Sequence, residues 1–404
     1  MNLDKVAEIL KKGYVCDRCV GRQFAQLLTE TDNEKRGQAI RFVLAMQYDS
    51  GMEAKINEAN FYGFHFHSRK VKSKKPGKCS VCGDIFGELK KKVEEIRKAV
   101  KGYEFGTILI GTKPPDILLK KEQAVWDEIG FESCEPIRSE LNRVLGRMVC
   151  EDLGKDVDKK APDMSVVYDF KANEAVINPK PLLVYGKYRK LVRGMPQSEW
   201  KTKIYKTSVQ GVIERPLLKA TKGDKTSFHG AGREDVDARC LGWRPFIIEV
   251  KNPRKRIVKF REMLRAVKKS RKVEVKGLRF ATKIDVRDIK SAKYDKKYRL
   301  VVRFEGKLEG LERIKELKGA TIIQRTPNRV LRRRANKARK RQVKDIRYKV
   351  LGRNKLEIAV RAESGLYVKE LVSGDGGRTE PNVAGLINNK VKNIELDVIK
   401  VYCD

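Results

Sequence analysis

Residues 229–242, HGAGREDVDARCLG, combine carboxylates, arginines and glycines in a pattern that could carry chemistry. Within this stretch a glycine turn, Gly232-Arg233-Glu234-Asp235, presents a carboxylate beside a guanidinium. The arginine favours the ionised aspartate that nucleophilic attack requires, and it can also hold a phosphate. The pattern is therefore compatible with a nucleophilic Asp235 beneath a bound nucleotide, but the tetrapeptide alone is more typical of an ordinary turn.

Four thiols occur as two C-x-x-C pairs, formed by Cys16 with Cys19 and by Cys79 with Cys82. Four thiolates suit tetrahedral zinc and leave no open coordination position, so the pairs predict a structural zinc site. A redox-active C-x-x-C is the alternative, but neither pair lies in a thioredoxin-like βαβ context. The nearby stretch FYGFHFHSRK adds two histidines that could replace a thiolate ligand.

Several common catalytic patterns are absent from the sequence. It contains no G-x-S-x-G elbow, no G-x-x-x-x-G-K-[ST] loop and no G-x-G-x-x-G turn. Both halves of the zinc deaminase pattern are also missing. These absences leave a carboxylate enzyme that uses no organic cofactor as the chemistry that the residues support.

The chain carries 91 Lys and Arg against 53 Asp and Glu, a formal net charge of +38. Such an excess favours nucleic acid as the partner, with an anionic membrane surface second. Thermophile-like ion-pair networks are a further alternative, but balanced networks would not leave this excess. Two runs, 185–194 and 325–341, interleave cations with Tyr, Leu and Val, which favours an RNA surface. Duplex DNA is less favoured because the sequence has no helix-turn-helix or zinc-finger spacing. The predicted RNA contacts are Lys187, Arg189, Lys190, Arg193, Arg325, Arg329, Arg332, Arg333 and Arg334.

Three zones must position these residues. Residues 1–90 hold the cysteine pairs, and residues 91–195 mix helical and strand-like segments as a compact α/β unit does. Residues 196–404 group strands more than they alternate them with helices, which predicts an α+β domain with a largely antiparallel sheet. No apolar stretch approaches the length of a spanning helix, and no signal peptide opens the chain. We therefore expect a cytoplasmic protein with no membrane association and with no obligate protein partner evident.

Three segments resemble the pseudouridine synthases. GREDVDARCLGWRPF is similar to their active-site loop, and KKYRLVV resembles the strand that supplies an active-site tyrosine, here Tyr298. SGLYVKELVSGDGGRTEPNVAGLI resembles the strand that supplies a basic residue, here Lys369, and then an apolar one, here Leu386. This strand has Leu366 where the commoner pattern has Thr. With RTPNRVLRRR and the paired C-x-x-C, nearly the whole chain resembles the archaeal and eukaryotic tRNA pseudouridine synthases numbered ten in the Pus series.

The resemblance implies an isomerisation of uridine to pseudouridine, in which the base leaves its stack to enter a pocket. Asp235 would be the nucleophile, attacking C1′ or, alternatively, C6. Lys369 would pair with Asp235, and Tyr298 would stack on the uracil and help remove the C5 proton. Arg233 would contact the phosphate of the displaced nucleotide, and Leu386 would close the apolar wall.

Asp237 is the second candidate nucleophile. Two residues beyond Asp235, it would point to the opposite side of an extended backbone. We therefore expect a structural role for Asp237, with Arg239 as its ion-pair partner.

The resemblance also implies a zinc-bearing N-terminal domain with a THUMP region, followed by a catalytic domain with a mixed, mostly antiparallel sheet. The targets would be uridines 54 and 55 in the TΨC arm of tRNA, with the THUMP region on the acceptor end and residues 325–342 as a mobile basic loop. A non-catalytic RNA-binding protein with a synthase-like fold is the competing interpretation.

Overall fold

The computed structural model describes residues 3–51, 53, 55–72, 74–200, 202 and 204–403, except for the side chain of Arg333. The chain divides into two compact units, one up to Lys180 and one from Pro181 onward. Within the described residues the first unit has one core, and the second has two. Among the described residues, a mixed α/β architecture with two sheets confirms the predicted α+β, multi-domain fold class.

The first unit combines helices with a small sheet. Its α-helices are α1 Leu3–Lys11, α2 Asp17–Gly21, α3 Asn33–Asp49, α4 Leu89–Val100, α5 Asp116–Ile129 and α6 Ile137–Leu153. Its strands are β1 Thr107–Lys113, β2 Asp156–Val157, β3 Met164–Asp169 and β4 Glu174–Pro179. They form a sheet in the order β2-β1-β3-β4, in which β1 is parallel to both neighbours and β3 is antiparallel to β4.

Hydrophobic periodicity explains why α4 forms and which face it buries. Its buried apolar residues Leu89, Val93, Ile96 and Val100 recur every three or four positions and lie on one side of the helix. In β1 the burial alternates residue by residue, as expected for a strand with one face on the core. The helix and the strand therefore join the same hydrophobic core.

The second unit is built on one large sheet. Its strands are β5 Leu182–Lys190, β6 Lys225–Gly230, β7 Arg239–Lys251, β8 Val273–Phe280, β9 Lys296–Phe304, β10 Thr321–Arg325, β11 Ala338–Gly352, β12 Lys355–Ala362, β13 Thr379–Glu380 and β14 Val391–Val401. Its α-helices are α7 Val209–Thr221, α8 Phe260–Lys268, α9 Lys283–Ser291, α10 Val368–Ser373 and α11 Val383–Leu386. The strand order is β13-β10-β11-β12-β9-β14-β7-β5-β8, with β6 also paired to β7. Only β14 and β7 run parallel among the pairs described for this sheet, which is therefore mixed and mostly antiparallel.

The boundary between the units falls earlier than the predicted division at 195/196. Strand β5 pairs with β7 from Leu182 to Lys190 and with β8 from Val184 to Lys190, so it belongs to the second unit. The sequence prediction joined β5 to the preceding strands because their patterns are alike, and pairing partners are not visible in a local pattern.

No helix in the described ranges is long and apolar enough to cross a membrane.

Candidate active site

The loop between β6 and β7 carries Asp235, whose side chain is 35% exposed. The loop begins after Gly230 and passes through Gly232, which has φ +78°. This left-handed conformation suits glycine and turns the chain so that Asp235 faces solvent while Glu234 is buried. The predicted glycine turn is thus present at Gly232.

Two cations from distant segments contact the carboxylate of Asp235. The guanidinium Nη1 of Arg329 donates a hydrogen bond to Oδ1 at 3.1 Å, and Nζ of Lys369 lies 3.6 Å from Oδ2. Arg329 lies in the 3₁₀ segment Asn328–Arg333, and Lys369 lies in α10. The sequence prediction assigned Arg329 to RNA, whereas the structure pairs it with the candidate nucleophile.

Each of these cations is also anchored by a second carboxylate. Nε of Arg329 donates to Oε1 of the buried Glu370 at 2.6 Å. Nζ of Lys369 donates to both oxygens of Asp237, at 2.7 and 3.0 Å. Burial opposes ionisation of Asp237, but the bonds from Lys369 outweigh it and lower its pKa.

The predicted ion pair between Asp237 and Arg239 is therefore wrong. Arg239 instead forms a bidentate pair with Asp397 of β14, with its Nη2 2.7 Å from Oδ2. The same carboxylate accepts from Arg193 at 2.7 Å. Asp237 bends back toward α10 instead because Ala238 donates its backbone N–H to the carbonyl of Asp235, which closes a tight turn.

Arg193 was predicted to contact RNA, but its guanidinium is held by the carboxylate of Asp397 in β14.

Tyr298 is the third residue of β9 and pairs with Val360 of β12 on one side and Val398 of β14 on the other. Its side chain is buried, and burial raises the pKa of its phenol to about 12. The charge of Asp235 contributes to the same shift, so the two groups lie within electrostatic reach of each other. The phenol therefore stays protonated at neutral pH.

The two remaining predicted site residues occupy different surroundings. Arg233 is exposed next to Asp235 and makes no hydrogen bond or ion pair within the described part of the chain. Leu386 ends α11 and packs, partly buried, on the core that contains Tyr298. Arg233 is therefore free to meet a ligand, and Leu386 contributes apolar surface.

Alternation along β5 separates the basic residues of the first run. Lys190 is fully buried, and its Nζ donates to the backbone carbonyls of Met195, Asp235 and Val236. Lys187 and Arg189 point to the other face of the sheet because side chains alternate along a strand. Lys190 as an RNA contact is therefore a wrong prediction, since its ammonium group has no access to solvent.

The second basic run is partly strand. Residues 338–352 form β11, so only 326–337 connects it to β10, a shorter connection than the predicted mobile loop 325–342. Arg325 and Arg332 are exposed, and Arg334 donates to the hydroxyl of Tyr367 at 2.9 Å. Arg333 was also predicted to contact RNA, but its side chain lies outside the described residues.

Sequence reasoning missed a buried polar layer beneath the loop that carries Asp235. It contains Glu234, Arg244, Tyr188 and Gln197, all nearly inaccessible to solvent. Burial is the leading cause that raises the pKa of Tyr188 and lowers that of Lys190. The signal available in the sequence was the placement of Tyr188, Lys190 and Arg244 at inward positions of strands.

The four predicted cysteines meet in the first unit. The sulfur atoms of Cys16, Cys19, Cys79 and Cys82 all lie within 4.8 Å of one another. Sγ of Cys16 is 3.6 Å from Sγ of Cys82, close to the ~3.8 Å that two sulfurs at 2.3 Å from a tetrahedral ion would show. The backbone N–H of Cys16 points at Sγ of Cys79 at 3.3 Å. This donor set can bind a metal ion.

Comparisons with known proteins cover almost the entire chain. Residues 183–402 match the family model "Pus10, C-terminal", and residues 93–169 match "Pus10 THUMP domain, archaeal". A protein of Pyrococcus furiosus named tRNA pseudouridine synthase Pus10 is 37% identical over 408 residues, covering 100% of this chain and 99% of its own length. Its namesake in Methanocaldococcus jannaschii is 37% identical and covers 98% of this chain and 93% of its own length.

A third relative with the same name, from Thermofilum pendens, is 33% identical and covers 99% of this chain and 95% of its own length. Among solved structures, a chain of a Cbf5-Nop10-Gar1 complex is 16% identical, with 52% of this chain and 47% of that chain covered. Its TM-score is 0.30.

Proposed function

Because the chain belongs to the Pus10 family of pseudouridine synthases, we propose that it isomerises uridines 54 and 55 in the TΨC arm of tRNA, with Asp235 as nucleophile. One observation carries the assignment of the nucleophile. Asp235 is an accessible carboxylate paired with two cations, in a loop whose backbone is held from below. A cytoplasmic location, where tRNA is available, is part of the same proposal.

The reaction exchanges one glycosidic bond for another. The N1–C1′ bond of uridine breaks, the uracil turns, and a C5–C1′ bond forms, while C5 loses a proton and N1 gains one. Asp235 attacks C1′, or adds to C6, and is released when the new bond is complete. No oxidant, reductant or energy source is required.

The neighbouring side chains divide the remaining tasks. Tyr298 would stack on the uracil. Because its raised pKa keeps the phenol protonated at neutral pH, it can donate a hydrogen bond to the turning base but is not the base that takes the C5 proton, so the expected help in removing that proton is not part of the proposal. Arg329 and Lys369 balance the charge of the nucleophile before and after attack. Arg233, which has no partner among the described residues, meets the phosphate of the flipped nucleotide, and Leu386 borders the base.

The geometry favours Asp235 over Asp237. Both oxygens of Asp237 accept hydrogen bonds from Lys369, whereas Oδ2 of Asp235 has only a cation at 3.6 Å. A carboxylate oxygen with fewer hydrogen bonds is the better nucleophile because less stabilisation is lost on attack.

The rest of the chain holds the RNA. The THUMP domain, matched at residues 93–169, would grip the acceptor end through phosphate contacts, and the connection 326–337 with Arg325, Arg332 and Arg334 would close on the arm. Accessory and catalytic functions would then divide at the boundary after Lys180, and the cysteine cluster would hold a structural zinc ion with no part in the reaction.

Incubation of the full chain with an unmodified tRNA transcript tests the proposal. Carbodiimide labelling followed by primer extension should reveal pseudouridine at positions 54 and 55. Binding of the transcript without any labelled product would instead identify a non-catalytic RNA-binding protein with a synthase-like fold.

A further inference from the structure

A buried cluster of five polar side chains lies under the loop that carries Asp235, and we call it the loop clamp. Its members come from β5, β7, the loop itself and the segment after β5. They are Tyr188, Lys190, Gln197, Glu234 and Arg244, and each is at most 6% exposed. Side chains of this polarity are seldom buried without a specific role for their hydrogen bonds.

Lys190 binds the side of the loop that follows Asp235. Its Nζ donates to the carbonyl oxygens of Met195 at 2.8 Å, Asp235 at 2.9 Å and Val236 at 3.3 Å. An ammonium group has three N–H donors, so all of them are used on backbone carbonyls. One of these carbonyls belongs to the candidate nucleophile, whose backbone is therefore directly fixed by a buried charge.

Two other members bind the side that precedes Asp235. Nη1 of Arg244 donates to the carbonyl of Ala231 at 2.9 Å, and Nε2 of Gln197 donates to the carbonyl of Gly232 at 3.0 Å. The clamp thus holds four carbonyls between residues 231 and 236, on both sides of the reactive carboxylate.

Glu234 connects the donors of the clamp. Its Oε2 accepts from the hydroxyl of Tyr188 at 2.8 Å and lies 3.2 Å from Nε of Arg244. Its Oε1 lies 3.9 Å from Nζ of Lys190. Since the residue adjacent to the nucleophile supplies the counter-charge, clamp and loop form a single buried network.

We propose that Lys190, balanced by Glu234, is a positioning residue that fixes the loop backbone so that the carboxylate of Asp235 stays aligned with the reacting uridine. This inference rests on the proposed function. It gives Lys190 a role in the rate of the reaction and none in RNA affinity, because the ammonium group is out of reach of a phosphate. A displacement of about 1 Å in a catalytic group can reduce the rate on the order of 100-fold.

The test compares Lys190→Met with Lys225→Met, which makes the same change at an exposed lysine of β6. Single-turnover rates at saturating enzyme are measured on the tRNA transcript, together with filter-binding Kd and thermal melting. Lys190→Met should lower the rate by about 10- to 100-fold and leave the Kd unchanged, Lys190→Arg should recover part of the rate, and Lys225→Met should keep the full rate.

Weaker binding by Lys190→Met with an unchanged saturating rate would overturn the inference, as would an unchanged rate and Kd. If Lys190→Met does not fold, Tyr188→Phe removes only the hydroxyl that donates to Glu234. Its rate should also fall at constant Kd, and an unaltered rate would reject the clamp. Wild-type enzyme that makes no pseudouridine would instead defeat the proposed function itself.

Discussion

At the scale of single residues, each cation beside Asp235 is shared with a second carboxylate. Arg329 bridges Asp235 and Glu370, and Lys369 bridges Asp237 and Asp235. Although burial acts against it, Glu370 and Asp235 raise the pKa of the Arg329 guanidinium. A cation that is anchored twice keeps its place when the charge of the nucleophile is consumed.

Replacement of Arg329 distinguishes a role beside the nucleophile from a role in RNA binding. Arg329→Met should lower the single-turnover rate by on the order of tenfold, because a cation 3.1 Å from the nucleophile is lost. The transcript Kd should change little. Arg332→Met is the matched contrast, since this exposed arginine lies on the same 3₁₀ segment without a described ion pair and is assigned to RNA: it should weaken transcript binding and keep the saturating rate. Loss of affinity at full saturating rate in Arg329→Met would return Arg329 to the RNA contacts.

Lys296, at the start of β9, gives the protein a pH-dependent stability. Burial, and secondarily the charge of Arg244, lower its pKa from the ordinary 10.5 to about 8. The unfolded chain therefore binds this proton near pH 10.5 and the folded chain only near pH 8, so folding becomes less favourable as the pH falls between these values.

We expect Lys296→Met to remove this dependence. The variant should gain stability relative to the wild type as the pH falls from 10.5 to 8, by a total on the order of 3 kcal/mol, and keep that gain at lower pH. Urea unfolding at three pH values measures the difference. A stability difference that is the same at pH 7 and above pH 10.5 would show that Lys296 titrates normally.

At the scale of elements, Gly232 tests whether the loop and the clamp act together. A Cβ at Gly232 would lie 3.1 Å from Nη1 of Arg244, in addition to the strain of φ +78°. Gly277 has φ +64°, and a Cβ added there would meet no atom within 4 Å, so it isolates the backbone strain. Gly277→Ala should cost about 1 kcal/mol and keep full activity, whereas Gly232→Ala should also lower the single-turnover rate. Equal activity of both variants would contradict this coupling.

Features with a local sequence signature could be predicted, and contacts between distant segments could not. The glycine turn at Gly232, the strand with Tyr298 and the four cysteines were found because each has a local signature. The burial of Lys190 was not predicted, because a basic run indicates RNA unless the strand alternation within it is considered. The pairing of Arg329 with Asp235 joins segments far apart in sequence, and no local pattern encodes such a contact.

At the scale of the whole molecule, the two units have separate cores. We therefore expect only the folding of the first unit, which contains the four cysteines, to depend on a metal ion. Four thiolates that close on one ion contribute their binding free energy, about 10–16 kcal/mol in small zinc domains, to folding. The fold class was predictable because the grouping of strands is visible over long segments. The boundary after Lys180 was not, since it depends on which strands pair.

We expect the purified chain to contain one zinc ion, measured by elemental mass spectrometry. Cys79→Ser should lose the metal and unfold the first unit, as shown by rapid proteolysis before Lys180, and leave the second unit resistant. Cys150→Ser, in the same unit but outside the cluster, should keep the zinc. Full metal content in Cys79→Ser would exclude this site.

Paired amide substitutions test whether the carboxylate of Asp235 performs the chemistry. Single-turnover pseudouridine formation is measured for Asp235→Asn and Asp237→Asn on the same tRNA transcript, with Kd as the control for folding and binding. Asp235→Asn should bind tRNA and form no product, while Asp237→Asn should form product at a reduced rate because Lys369 loses its shorter pair. Product from Asp235→Asn together with none from Asp237→Asn would contradict the account.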